Sequence, residues 1–143
     1  MRPSTSKNRL LKLADFLDNL PPKRFNYAYW VSNTNYEVPT FNECGTVGCA
    51  LGWATTIPSF KKLGLKMDTN EPFISGAYGL MAGAYLFGIS FFEAKYLFVP
   101  MQWLNVLPIG PDFNTSPKEV ANHIRRFVNW KFPEKQRCKR ASL

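Results

Sequence analysis

Leucines at positions 10, 13, 17 and 20, joined by Ala14, recur every three or four residues, while Lys12, Asp15 and Asp18 fill the polar gaps. That spacing predicts an amphipathic helix that Ser6 caps, that begins at Lys7, and that Pro21-Pro22 stops. A second short helix is predicted from Pro22 to about Trp30, with Phe25 and Tyr29 on one face. The next stretch, VSNTNYEVPTFNE (31–43), mixes Asn, Thr and Pro with isolated aromatics and reads as a loop. In NECGTVGCALGWATTIP (42–58), Thr46 suits an N-cap, and Val47 to Ile57 reads as a helix ending before Pro58. Its glycines, Gly48 and Gly52, lie four apart on one face and cost about 1 kcal/mol each inside a helix, so tertiary packing must stabilise that segment.

Beyond a polar, turn-rich stretch from Ser59 to Pro72, with a helical turn near Phe60 to Leu63, Ser75 reads as the cap of a helix from Gly76 to Phe87. Gly88 is its stop. Ser90 and Glu93 have the spacing of a capping box and open a helix to Phe98, which Pro100 ends. Residues 100–114 read as an ordered loop holding Trp103 and Leu104. Ser116-Pro117-Lys118-Glu119 is a second capping box, and Val120, Ile124, Phe127 and Val128 line the apolar face of a helix over 117–131. No strand pair is read. The expected class is all-α: a compact single-domain bundle of about five to six short helices with long ordered loops. Residues 7–132 form the domain, 1–6 a flexible tail and 133–143 a basic tail.

Composition changes this picture little; charge changes it more. At 143 residues with 45% hydrophobic positions, the chain fits one globular domain. Its longest apolar region, Phe73 to Val99, is broken by Ser75, Ser90, Glu93 and Lys95, which argues against a membrane span. The N-terminal letters show no apolar core or cleavage site of a secretory signal, so a cytoplasmic setting is expected, that of the host cell if the chain is phage-encoded. Residues 1–24 carry six Lys or Arg against two Asp, and 118–143 carry eight against two Glu, whereas 25–117 carry four against six acids. Two basic ends flank a mildly acidic middle, a pattern suited to phosphate-rich or acidic partners. Lys118, Arg125, Arg126 and Lys131, with Lys135, Arg137, Lys139 and Arg140, form the candidate binding set.

Candidate chemistry centres on Cys44 and Cys49. Structural zinc needs four Cys or His ligands in short paired spacings, and only His123 and Cys138 stand in reserve; no metal or other cofactor is expected. The segment CGTVGCALGW resembles the Cys-Gly-Ser-Cys-Trp signature of papain-like peptidases, which would make Cys49, or Cys44, a nucleophile and His123 its base. The cysteine spacing differs, the tryptophan stands four residues beyond Cys49, and His123 falls inside a helix. Packing accounts for more letters: Cys44, Gly45, Thr46, Cys49, Gly52 and Trp53 read as a structural motif, with Cys49 and Trp53 on one face and small residues allowing close approach. The stretch AGAYLFGISFFEAKYLF (82–98) resembles a helix-turn-helix core, but its second helix offers few polar side chains to base edges, so a packing hairpin is the expected use.

In their order, LADFLDNLP, CGTVGCALGW, AYLFGISFFEAKYLF and TSPKEVANHIRRFV resemble a loose group of small helical proteins of bacteria and their phages, across most of residues 10–128. The resemblance implies a compact helical domain and a phage or mobile-element setting, with no activity attached. The expected function is a non-catalytic basic binding protein engaging nucleic acid or an acidic protein or nucleoprotein surface, with inhibition of a host defence or regulatory machine as a role suited to that setting. Two alternatives stand: a cysteine-dependent hydrolase or transferase, and a structural homo-oligomer using aromatic surface around Tyr78, Tyr85, Phe91 and Phe92.

Overall fold

The computed structural model describes residues 1–26, 48–99 and 115–134. Helix α1 runs Pro3–Asp18 and begins earlier than its leucine pattern predicts. Proline occupies the first helical turn, where an N–H has no intrahelical acceptor to lose. Ser6 is therefore an interior helical residue, 2% exposed, and not a cap. The expected tail over 1–6 is largely a helical turn, held down by Arg9 as well, whose Nη1 donates to the Leu86 carbonyl at 2.7 Å. Leu10, Leu13 and Leu17 are fully buried, as the periodicity requires.

Of the helix expected from Pro22 to about Trp30, the described residues form only a single 3-10 turn, Pro22–Arg24; residues 27–47 lie outside the described residues. The reason is a long-range claim on the backbone. Gly48 N–H donates to the Arg24 carbonyl at 3.1 Å, and Asn26 N–H donates to the Gly48 carbonyl at 3.0 Å, so Phe25 pairs with Gly48 in an isolated parallel bridge. The same pairing draws Gly48 out of the predicted helix over 47–57. What remains is α2, Ala50–Ala54, capped by Cys49, whose Sγ accepts from Gly52 N–H at 3.5 Å. Thr46 falls outside the described residues. Thr55 and Thr56 turn their hydroxyls back to the carbonyls of Gly52 and Trp53, at 2.6 and 2.7 Å, and α2 ends there. Pro58 stops nothing further; it opens α3, Pro58–Lys62.

The all-α expectation needs correction next. β1 Lys66–Asp68, β2 Glu71–Ile74 and β3 Ala77–Tyr78 form an antiparallel sheet in that order, with Asp68 opposite Glu71 and Phe73 opposite both Lys66 and Tyr78. Both connections are two-residue turns at positive φ, Thr69-Asn70 and Ser75-Gly76, the geometry that matches strand twist in tight hairpins. Ser75 is thus a turn residue and not an N-cap, and α4 starts later, at Leu80–Phe87. The molecule is mainly helical with a small antiparallel sheet.

The C-terminal half follows its local signals closely. Gly88 ends α4 in the left-handed conformation. α5, Phe91–Phe98, opens on a reciprocal capping box: Ser90 N–H donates to Glu93 Oε1 at 2.9 Å, and Glu93 N–H to Ser90 Oγ at 3.1 Å. α6, Pro117–Lys131, begins with Ser116 Oγ accepting from Glu119 N–H at 3.2 Å, the Ser half of the expected capping box without the return bond from Ser116 N–H to the Glu119 carboxylate. Its face of Val120, Ile124, Phe127 and Val128 is buried and joins the α1 leucines, Leu51, Phe60, Phe87 and Leu97 in one core. α6 packs chiefly along α1 and also meets α5. Gly83 of α4 sits where a methyl group would stand 3.1 Å from Leu51, so this small residue permits the close approach of α4 and α2. Among the described residues, no helix is long and apolar enough to cross a membrane.

Candidate binding surface

Where α5 meets α6, their outward strips form an open groove of about 550 Å³ lined by Phe92, Glu93, Tyr96, Arg126, Phe127 and Trp130. Helical spacing creates it. Phe92 and Tyr96 are four apart on α5, Arg126 and Trp130 four apart on α6, so each pair stacks one turn above the other on its helix. Phe92 is 78% exposed and Trp130 74%, while Phe127 roots the groove in the core. The aromatic rings touch in sequence across the junction: Tyr96 to Phe127 at 6.4 Å between centroids, and Phe127 to Trp130 at 6.0 Å.

Charges in and beside the groove are unequal. Lys131 Nζ donates to both Glu93 oxygens at 2.6 Å. Burial raises the Glu93 carboxyl, but the bonds from Lys131 and from Ser90 outweigh it and hold the group below its ordinary value. Glu93 and Lys131 therefore neutralise one another. Arg126, exposed on the same groove, makes no ion pair among the described residues and leaves the site net positive. Lys95 of α5 stands 5.3 Å above the Phe91 ring.

The candidate basic set thus divides. Arg125 is spent on structure, bound to Asp15 and Asp18 of α1. Lys131 is spent on Glu93. Lys118 is exposed in the first turn of α6, near enough to Asp18 to lower its carboxyl slightly through charge alone. Arg126 faces the groove. Lys135, Arg137, Lys139 and Arg140 lie outside the described residues, in the chain that follows Glu134.

Of the cysteine motif, Cys44, Gly45 and Thr46 lie outside the described residues, and Cys49, Gly52 and Trp53 are buried. Trp53 donates its Nε1–H to the Arg24 carbonyl at 2.8 Å and packs 6.0 Å from Phe16, while the Arg24 guanidinium lies 4.7 Å over its ring. Burial pushes the Cys49 thiol up to about 11, the wrong direction for a thiolate nucleophile, and its sulfur is occupied as a helix cap. His123 is 2% exposed, with Nε2 3.0 Å from the Tyr96 carbonyl. A carbonyl only accepts, so Nε2 carries the proton and donates it. Burial lowers the His123 pKa, with nearby Arg126 adding to the effect against the contrary pull of the Tyr96 bond. Its ring lies 4.5 Å from that of Tyr96, so His123 bonds the backbone and packs on the ring of the groove's Tyr96.

Sequence reading placed Phe127 in the core and missed Tyr96, Trp130 and the Glu93–Lys131 pair. The signal was present as two four-residue spacings, but nothing local says that α5 and α6 are neighbours. The aromatic positions named for self-association, Tyr78, Tyr85, Phe91 and Phe92, are all exposed, with Tyr78 additionally donating to Asp68 at 3.0 Å. No family model, curated protein or solved structure matches this chain.

Proposed function

We propose that this chain is a non-catalytic binding protein that engages a polyanion, either nucleic acid or the acidic face of a protein or nucleoprotein, through the α5/α6 groove and its basic C-terminal sequence. One observation carries the reading. Arg126 stands without an ion pair among the described residues, in an exposed aromatic groove on the helix that leads into the basic sequence. A solvated basic face needs no such groove. In the phage or mobile-element setting that the resemblance implies, occupying the polyanion site of a host defence or regulatory machine is a role that this chemistry suits.

The test is retention on immobilised heparin and binding of labelled oligonucleotides over a salt series. The expected result is a linear fall of log affinity with log salt, steeper for the native chain than for Arg126→Ala, as lost phosphate contacts release fewer counterions. Binding that holds constant across the series, or no binding to any polyanion, overturns the reading.

A further inference from the structure

We infer that the α5/α6 groove takes unpaired bases, so that the ligand is single-stranded nucleic acid, stacked on Phe92 and Trp130 with a phosphate held by Arg126. The inference rests on the polyanion reading above and names its ligand. Three features of the groove lead to it.

First, the two most exposed large apolar side chains of the described residues are aromatic rings on the same groove, Phe92 at 78% and Trp130 at 74%. Planar rings that stand out of a surface are matched by planar faces, and base stacking on such rings is tolerant of sequence because every base has one. In a duplex those faces are covered by neighbouring pairs, and the outside offers phosphate, sugar and base edges. The ring surface is therefore usable by a single strand and wasted on a duplex.

Second, the groove holds a cation beside its rings. Glu93 in the groove wall is held by Lys131, which leaves Arg126 as the cation available to a ligand in the groove. Arg126 and Trp130 are one turn apart, so a phosphate on the guanidinium puts the adjoining base within reach of the indole. Third, the chain continues from Trp130 into KQRCKR (135–140), which has four cations and no acid. Exposed rings beside a cation are the two parts of sequence-tolerant single-strand recognition, an aromatic platform and positive charge for the backbone.

The test uses the full chain and fluorescence anisotropy with labelled oligothymidylate of about 15 nucleotides, within the usual site size for such surfaces, against a duplex of equal length and against polyglutamate. Circular dichroism first confirms that Phe92→Ala, Trp130→Ala and Arg126→Ala fold, as expected for exposed positions. The expected result is a preference for the single strand over the duplex of about tenfold or more, and a loss of about tenfold in single-strand affinity for Trp130→Ala or Phe92→Ala, the size of one lost base stack. Trp130→Phe should restore binding. The ring substitutions should cost single-strand affinity several times more than they cost duplex or heparin affinity.

Equal affinity for single strand and duplex, with no effect of the ring substitutions, overturns the inference and leaves the polyanion reading standing. Binding of polyglutamate in preference to either nucleic acid overturns it in favour of an acidic protein partner. Failure to bind any of the three overturns both readings.

Discussion

Arg125 and Asp18, 107 residues apart, meet end to end: Nη1 donates to Oδ1 at 3.2 Å and Nη2 to Oδ2, with Asp15 Oδ1 taking a further bond from Nη2 at 2.9 Å. A planar guanidinium facing a carboxylate in this two-point manner fixes orientation as well as distance. It sits across the α1/α6 seam. The clamp explains why one of two adjacent arginines is structural while the other, Arg126, makes no ion pair among the described residues.

Replacing Arg125 with methionine keeps the aliphatic stem and removes the clamp. The side chains are about one-third exposed, so solvent screens the pair, and the loss expected is about 1 kcal/mol, shrinking in high salt. The bond to Arg125 holds the Asp18 carboxyl below its ordinary 3.8. On acidification the unfolded chain takes up that proton first, so the clamp's stability is complete above pH 3.8 and is lost as pH falls from there through the folded value. Urea midpoints of both proteins should differ most at neutral pH, and the gap should narrow steadily as pH is lowered below 3.8.

His123 titrates the same way in a different window. Burial first, and Arg126 second, depress its pKa below the ordinary 6.5. The unfolded chain therefore binds the proton first, and stability present above pH 6.5 declines as pH falls through the folded value. Thermal melts at about pH 7.5 and pH 5 should show a larger acid loss in the native protein than in His123→Gln, which retains an N–H donor. Identical acid losses would show that His123 does not carry the effect.

Cys49 should be inert. With its thiol at about 11 and fully buried, less than one molecule in a thousand is ionised at neutral pH. Iodoacetamide followed by peptide mapping should leave Cys49 unmodified in the folded protein and alkylate it in denaturant. Rapid native labelling at this residue would revive the cysteine-dependent alternative.

Gly88→Ala should be among the costlier single-methyl additions. The position has φ +63°, and an added Cβ would lie 2.7 Å from both Met1 Sδ and Ser6 Oγ. The left-handed backbone alone costs about 1–2 kcal/mol for a residue with a side chain, and the Ser6 contact is on a helix that cannot easily yield. A fall in Tm of about 3–8 °C is expected by calorimetry. A Tm within a degree of the native value would mean that α1 and the α4 end separate freely.

The elements that were legible in sequence are those whose reasons are local. The leucines of α1, the Ser90–Glu93 box, the Gly88 stop and the Ser116 cap each need only a few neighbouring residues, and all appear where their spacing puts them. The hairpins were less legible because their strands are short and partly polar, KMD and EPFI, although Thr69-Asn70 and Ser75-Gly76 carry turn chemistry. Within the cysteine motif, Cys49, Gly52 and Trp53 are buried, and the cap was not legible, since Gly48 is taken by Phe25's neighbours and Cys49 caps α2.

By itself, then, the sequence determined where α4 stops, where α5 and α6 start and stop, and which face of α1 and of α6 is apolar, because periodicity and caps act over three or four residues. Tertiary structure alone decided which cations are spent. Arg125 and Arg126 are adjacent in sequence, and helical geometry points them about 100° apart, one toward α1 and its aspartates, the other into a groove made by α5. That division depends on partners far away along the chain, and no local pattern encodes it.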